Sequence, residues 1–218
     1  MTTLVQQAPV VGIDGCRGGW IVASRSGVHV VPDLLAATRH IPLAGIDMPI
    51  GLPEKWTREA DRAARIFLGS RRSTIFDTVP RPLLDAATWV DANTRSRALY
   101  GRGISRQSWS LADKIREVDR CIEPDAPHLV EVHPECSFAC MTGAPLVSKH
   151  TAIGIELRES ALRERFGDLP ATPAGARRDD LLDAYAVLWS TERFARNEHV
   201  TFGDNERDTR NLTMRIVA

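Results

Sequence analysis

Short apolar segments that end in an acidic residue recur along the chain. Residues 10–14 form an apolar run that closes on Asp14, and residues 43–47 repeat the same Gly-Ile-Asp ending at Asp47. A third apolar run, residues 129–132, contains Glu131. Continuous apolar runs of this length are typical of buried β-strands. The pattern therefore predicts three strands that carry carboxylates at or near their ends.

Two further strands are predicted directly after the first. Residues 19–24 and 28–31 are apolar and are separated by glycine and serine residues, which is typical of an antiparallel meander. A short helix at 33–39 leads into the strand at 43–47, which we expect to lie parallel to the first strand. These elements predict an α/β fold with a five-stranded mixed sheet, three strands antiparallel and then parallel ones.

The remaining segments predict helices around this sheet. Residues 151–166 and 178–196 have apolar residues at helical spacing, and Gly167 closes the first of them. Further helices are predicted at 55–68, within the mixed stretch 83–99, and at 107–122, the last ended by Pro124. We expect a single domain over 1–218 with a helical insertion at about 55–125, and a final short strand at 214–217.

Charge is balanced overall but unevenly distributed. The 218 residues carry 28 basic and 28 acidic side chains, which argues against attraction of nucleic acid by the whole surface. Residues 62–106 contain nine arginines and three acids, a local balance of +6 that leaves −6 for the rest. Aromatic residues are interleaved with these arginines, as in surfaces that contact phosphates and stack on bases. A solvated helical face over a small aromatic core explains the same pattern equally well.

Cysteine usage and hydropathy indicate a cytoplasmic protein. The four cysteines lack the spacing of a zinc site, so we expect reduced thiols. Residues 1–7 lack the basic start and apolar core of a signal peptide, and no run approaches the length of a membrane helix. We therefore expect no membrane association.

The acidic residues are the candidates for chemistry. Asp14 and Asp47 are embedded in apolar sequence, where a carboxylate is costly unless it is paired or binds a metal. If their strands are parallel neighbours, both side chains meet at one end of the sheet, and Glu131 can join them. Asp180 and Asp183 lie one turn apart on the last helix and repel each other. Such convergence is typical of a two-metal site that hydrolyses phosphodiesters, although a helix N-terminus also favours acids.

Three polar residues near these acids allow more than one interpretation. His133 and Glu135 flank a proline after the fifth strand, and each is a candidate ligand, base or buried hydrogen-bonded residue. Lys149 precedes a helix, where it could meet a phosphate or remain exposed.

Four ordered motifs carry a family resemblance. They are Gly-Ile-Asp-Gly-Cys-Arg-Gly-Gly-Trp at 12–20, Gly-Ile-Asp-Met-Pro-Ile-Gly-Leu-Pro at 45–53, Glu-Val-His-Pro-Glu at 131–135 and Asp-Leu-Leu-Asp-Ala at 180–184. Together they resemble an uncharacterised family of predicted nucleases with the RNase H-like fold, of the domain of unknown function 429 type. The wider superfamily includes the distantly similar Holliday-junction resolvases. The resemblance spans nearly the whole chain.

The resemblance implies a Mg²⁺- or Mn²⁺-dependent nuclease. By position, the metal ligands it implies are Asp14, Asp47, Asp180 and Asp183, and Glu131 is added as a further catalytic acid. His133 and Glu135 are expected to contact these ligands and position them, without binding the metal themselves. The residues expected to contact the nucleic-acid backbone are Arg17, Arg71, Arg72, Arg106 and Lys149.

Two other functions remain open at this point. Sugar kinases and actin-like ATPases also begin with a Gly-Ile-Asp-Gly turn, so an ATP-binding phosphotransferase is an alternative. A non-catalytic protein that binds nucleic acid is another. The sequence leaves open whether the substrate is DNA or RNA, whether cleavage is internal or from an end, and what the oligomeric state is.

Overall fold

The computed structural model describes residues 9–122, 128–203 and 206–218. The expectations for residues 1–7 and for a helix stop at Pro124 lie outside these ranges. Among the helices of the described ranges, none combines the length and the apolar character that crossing a lipid bilayer requires.

A mixed five-stranded sheet forms the centre of the fold. Its strands are β1 (Val10–Cys16), β2 (Gly19–Ser24), β3 (Gly27–Val31), β4 (Leu43–Ile46) and β5 (Leu129–Glu131). They lie in the order β3-β2-β1-β4-β5, with the first three antiparallel and the β1–β4 and β4–β5 pairs parallel. This confirms the predicted α/β fold and its RNase H-like strand arrangement.

The register between the parallel strands sets the position of the acids. Ile13 of β1 pairs with Ile46 of β4, so Asp14 and Asp47 follow side by side at the same edge. The backbone N–H of Asp47 donates to the carbonyl of Ile13 at 3.0 Å. Ile46 in turn pairs with Glu131 of β5. The sheet therefore places one acid at or next to the end of three adjacent strands.

Eight α-helices surround the sheet within the described ranges. They are α1 (Leu34–Thr38), α2 (Glu59–Leu68), α3 (Trp89–Tyr100), α4 (Arg106–Ser110), α5 (Ala112–Cys121), α6 (Pro134–Thr142), α7 (Ala152–Phe166) and α8 (Arg178–Ala195). Short 3₁₀ turns cover Gly69–Thr74 and Arg81–Leu83. The last two strands, β6 (Thr201–Phe202) and β7 (Ile216–Val217), pair antiparallel in a small second sheet.

Two predicted helices differ from those observed. The helix expected from residue 55 begins only at Glu59, because Thr57 has a φ of 75° and cannot belong to a right-handed helix. The helix expected over 107–122 is two helices, α4 and α5, that meet at Leu111. Helix α6 and strand β6 were not predicted. The final strand covers Ile216–Val217 rather than 214–217.

Apolar side chains from both faces of the sheet form two main cores. On one face, Val11, Ile13 and Trp20 pack with residues of α1 and α5, such as Leu34 and Ile115. On the other face, side chains of β1 and β2 pack with α6, α7 and α8. The segment between β4 and β5 contains α2 to α5, in the region expected to be a helical insertion. Its status as an insertion within one domain stays a prediction.

Two glycines bring α8 unusually close to the sheet. A Cβ atom on Gly12 would lie 2.2 Å from the backbone nitrogen of Leu188, and one on Gly45 would lie 1.9 Å from Oγ1 of Thr191. Gly12 and Gly45 are register partners on β1 and β4. Because they lack side chains, α8 lies directly on the two strands that carry Asp14 and Asp47.

Candidate functional site

Three aspartates converge at the edge of the sheet. Asp14 has the same side-chain direction as Gly12, two residues earlier on β1, and therefore faces α8. Asp183 lies in the second turn of α8, one residue before Ala184, whose carbonyl would contact a Cβ at Gly12. Asp14 and Asp183 are both buried, with 8% and 3% of their surface exposed. Asp47 is partly exposed beside them.

Lys149 supplies a positive charge to this group. Its Nζ donates to Oδ2 of Asp183 at 2.5 Å, and the Lys149 side chain is 31% exposed. The acids Asp183, Asp47 and Asp14 hold the pKa of Lys149 above its usual value against the opposing effect of burial. The lysine therefore remains charged and balances part of the negative charge of the aspartates.

Burial and neighbouring negative charges raise the pKa values of the three aspartates. Burial raises the pKa of Asp14 well above its usual range, and the charges of Asp47 and Asp183 raise it further. Burial, followed by the charge of Asp183, raises the pKa of Asp47 to about 8. Burial also raises the pKa of Asp183, which Lys149 partly opposes. A cation bound among these carboxylates would relieve both the repulsion and the cost of burial.

The donor chemistry of this cluster suits a hard divalent cation. Carboxylate oxygens are the ligands that Mg²⁺ and Mn²⁺ prefer. Oδ1 of Asp183 is buried and has no hydrogen-bond partner within the described part of the chain. Within the same ranges, however, no three His, Cys, Asp or Glu side chains are already arranged to ligate one ion. The acids fit a cation by their chemistry, and Lys149 holds one of them in the present arrangement.

Asp180 and Glu131 differ from the three aspartates because each is hydrogen-bonded to an arginine. Oδ2 of Asp180 accepts a hydrogen bond from the backbone N–H of Arg177 at 2.8 Å, so it caps α8, although its charge still raises the pKa of Asp14. Glu131 is buried, and its two oxygens accept bonds of 2.6 Å from the guanidinium of Arg58. The backbone N–H of Ile50 also donates to it. A role of Glu131 as a ligand stays a prediction.

His133 and Glu135 are held by neighbouring residues. Both oxygens of Glu135 accept hydrogen bonds from Nη2 of the buried Arg158, at 2.7 and 2.8 Å. Nε2 of His133 lies 3.3 Å from the carbonyl oxygen of Thr74, and burial lowers the pKa of His133 to about 4. His133 is therefore uncharged at neutral pH, and its buried Nδ1 has no partner among the described residues.

The arginines predicted to contact nucleic acid lie in different surroundings. Arg71 is partly buried and lines a cavity together with Lys149. Arg17 and Arg72 are exposed, Arg17 in the turn between β1 and β2. Arg106 is exposed and stacks on Trp89, with its guanidinium 4.0 Å from the ring centre. Only Arg71 and Lys149 of this set line the cavities beside the aspartates.

Other arginines of the same region contact the protein's own side chains. Arg65 and Arg102 pair with Asp77, and Arg95 pairs with Asp91. Arg102 also stacks on Trp56. Several of the arginines in this predicted pattern therefore form ion pairs or stacking contacts with other residues of the same chain.

Two cavities meet at the aspartates. One of about 230 Å³ lies between the edge of the sheet and the helical segment, and Asp14 lines it. The other, of about 450 Å³, is lined by Asp183, Lys149 and Arg71. Asp47, Thr74, Phe76 and His133 line both. We call the first the apolar cavity and the second the basic cavity.

A known protein family matches most of the chain. A family described as "Protein of unknown function (DUF429)" matches residues 12–208. The chain belongs to the DUF429 family. No curated protein and no solved structure matches it. The matched range of this DUF429 chain contains all three aspartates and both cavities' polar residues.

Two arginines that organise the DUF429 site were not found from the sequence. Arg58 and Arg158 are almost completely buried and hold Glu131 and Glu135. Arg58 also pairs with Asp61, three residues later, which is a detectable local spacing. Nothing local to Arg158 points to Glu135, which is 23 residues away.

Proposed function

We propose that the protein is a divalent-cation-dependent phosphodiesterase that acts on nucleic acid. One observation supports this function above the others. Asp14, Asp47 and Asp183 converge, with raised pKa values, where the apolar and basic cavities meet. The strand order and the family resemblance described above are consistent with an RNase H-like nuclease.

The three aspartates would hold Mg²⁺ or Mn²⁺. A cation bound there supplies an activated water molecule and neutralises the charge that develops on the leaving oxygen. One buried oxygen of Asp183 has no hydrogen-bond partner among the described residues, and its other oxygen would become available when Lys149 turns away. Asp180 caps α8 and would contribute mainly through its charge.

Lys149 and Arg71 would bind the phosphates of the substrate. Both line the basic cavity, and the Lys149 side chain is exposed enough to change partners. An ammonium or guanidinium group beside a phosphate attracts it and fixes its orientation. Lys149 would thus balance the aspartates in the free protein and a phosphate group in the complex.

Metal binding without substrate is the first test. Mn²⁺ should bind the wild-type protein in a calorimetric titration and should not bind Asp14→Asn/Asp183→Asn. The matched control is Asp179→Asn, which removes a neighbouring acid that pairs with Arg177 and should leave binding unchanged. Equal binding to the double variant would refute the proposed ligands.

Cleavage is the second test. Labelled DNA and RNA oligonucleotides, single-stranded and duplex, are incubated with Mn²⁺ and the wild-type protein. We expect cleavage that Asp14→Asn reduces at least a hundredfold, while its circular dichroism spectrum stays that of the wild type. Retained cleavage in Asp14→Asn would refute the site. Hydrolysis of ATP without cleavage of any oligonucleotide would favour the phosphotransferase alternative.

A further inference from the structure

We propose that the apolar cavity binds one unpaired nucleobase, so that the substrate is a single strand or a strand end. The inference rests on the proposed function, because it takes the aspartates as the place where the phosphate binds. It adds the class of substrate, which neither the family match nor the cluster of acids specifies.

The size and lining of the cavity suit a flat aromatic ring. Its volume is about 230 Å³, and an apolar cavity of about 150 Å³ is enough to hold benzene. Its apolar lining comes from the end of the sheet and from the helical segment, and includes Met48, Ile75, Phe76, Leu111 and Ile115. A base within a duplex could enter such a space only after leaving its stack.

Phe76 lies where the two cavities meet. It lines both of them, and it is 37% exposed although it is a large apolar residue. Stacking of a base on an aromatic ring contributes about 1–3 kcal/mol and tolerates any base. Phe76 is therefore placed to hold a base at the entrance to the apolar cavity.

Hydroxyl groups are available for the edge of the base. Ser108 lines the apolar cavity, and its Oγ accepts a hydrogen bond from Ser105 at 2.8 Å, so the hydroxyl of Ser108 can itself donate to a ligand. Thr78 lines it as well and donates to Asp61. Charged side chains, among them Arg58, Asp61 and Lys114, also line the cavity. Sites for small ligands likewise combine apolar walls with a few polar groups that fix the orientation of the ligand.

The position of the acids links the cavity to the phosphate. Asp14 lines the apolar cavity, Asp183 lines the basic one, and Asp47 lines both. A nucleotide whose base enters the first cavity thus places its phosphate at the aspartates. The next phosphate of the strand would then reach Lys149 and Arg71. Nε of Arg71 is buried without a partner among the described residues, which leaves a donor for it.

Binding of AMP and of ribose 5-phosphate tests this inference. The two ligands share a sugar phosphate, and only AMP has a base. In calorimetric titrations with Mg²⁺, the wild-type protein should bind AMP at least tenfold more tightly than ribose 5-phosphate. Equal affinities, or no binding of either, would overturn the inference.

Three variants locate the base. Phe76→Ala should lose most of the preference for AMP, and Leu111→Trp should do the same by filling the cavity. Phe67→Ala is the matched control, because Phe67 is similarly exposed at 40% but packs on Phe202, away from the cavity. It should keep the wild-type preference. If Phe76→Ala and Leu111→Trp both keep that preference, the base binds elsewhere and the inference fails.

The cleavage experiment separates this inference from the proposed function. A preference for AMP without cleavage of any oligonucleotide would refute the nuclease and leave the base pocket standing. Cleavage of blunt duplexes as fast as single strands, with no preference for AMP, would refute the pocket and leave the nuclease standing.

Discussion

At the scale of single residues, the three aspartates beside β1 and β4 differ from the other buried acids in how their negative charge is balanced. A buried carboxylate is normally paired with a positive charge. Glu131 and Glu135 follow this rule, since they pair with Arg58 and Arg158. Of the three aspartates at the cavities, Asp183 accepts a hydrogen bond from Lys149, whose charge also acts to lower the pKa values of Asp14 and Asp47. Burial is the main cause of their raised pKa values, and burial raises the pKa of Glu131 as well.

The stability of the protein should depend on pH through Asp47. Its pKa is about 8 in the folded protein and about 4 in an unfolded chain. Between these values the folded state holds a proton that the unfolded state has released, so the free energy of unfolding decreases as pH rises. Asp47→Asn removes this effect. It should exceed the wild type in stability by about 2 kcal/mol at about pH 8.5 and not at about pH 4.

Urea unfolding in EDTA between these two pH values measures the effect. The exposed Asp85→Asn is the control and should follow the wild-type curve at every pH. If Asp47→Asn also follows that curve, Asp47 does not titrate as described. Addition of Mg²⁺ should stabilise the wild type at high pH more than it stabilises Asp47→Asn.

Lys149 should compete with a bound cation. Its ammonium group occupies Oδ2 of Asp183 at 2.5 Å. Lys149→Met removes this competitor and the positive charge that repels a cation. Calorimetry should show Mn²⁺ binding about tenfold more tightly to this variant, a gain of about 1.4 kcal/mol. Weaker Mn²⁺ binding in Lys149→Met would mean that the lysine positions the aspartates for the metal.

At the scale of elements, the contact between α8 and the sheet decides where Asp183 lies. Gly12 and Gly45 leave room for the helix, and the nearest atoms that a side chain at Gly12 would meet are backbone atoms of α8. The sequence predicted α8 and both strands from apolar runs. It did not predict the distance between them, because that distance depends on contacts of Gly12 and Gly45 with α8, which lies far away in the sequence.

A methyl group at Gly12 should therefore disrupt the fold. Its Cβ would lie 2.2 to 2.7 Å from backbone atoms of Leu188 and Ala184. Gly12→Ala should reduce the free energy of unfolding by about 3 kcal/mol, as overpacking does in other cores. Gly15→Ala is the control on the same strand, where the neighbour is the flexible side chain of Lys114. Urea unfolding should show a loss for Gly15→Ala well below that for Gly12→Ala, and equal losses would contradict the packing described.

Helix α6 shows why one element was missed. Residues Pro134 to Ala139 are all buried, so the helix has no polar face and no helical period of apolar residues. The available signal was Pro134 itself, since proline is favoured at the first position of a helix. Helices that are buried all round carry little periodic signal in the sequence.

At the scale of the whole molecule, a buried ion-pair network joins the helical segment to the sheet. Arg58 precedes α2, pairs with Asp61 on that helix and reaches Glu131 on β5. All three side chains are at least 95% buried. This network fixes the segment over the end of the sheet, and the apolar cavity lies between them.

Loss of Arg58 should destabilise the molecule strongly. Arg58→Met leaves two buried carboxylates, Asp61 and Glu131, without their positively charged partner, and removal of one member of a buried pair typically costs about 3–5 kcal/mol. Arg95→Met is the control, because Arg95 forms an exposed pair with Asp91 that contributes about 0.5 kcal/mol or less. Urea unfolding compares the two. A similar small loss in both variants would show that the network does not hold the segment.

The sequence by itself predicted the five strands of the main sheet, their antiparallel or parallel directions, and the candidate acids. Apolar runs, glycine turns and the Gly-Ile-Asp endings are local signals, and the parallel pairing of β1 and β4 follows from them by the ordinary rules of α/β folds. Asp14 and Asp47 were placed together for that reason. The nuclease function that this placement suggests is still a proposal.

Only the tertiary structure decided which acids are paired and which remain together at the cavities. Lys149 and Asp183 are 34 positions apart, and Arg58 and Glu131 are 73 apart. No local pattern selects such partners, because they meet only after helices and strands have packed. The apolar cavity likewise has walls from several distant segments, so its existence depends on the packed structure rather than on any one stretch of sequence.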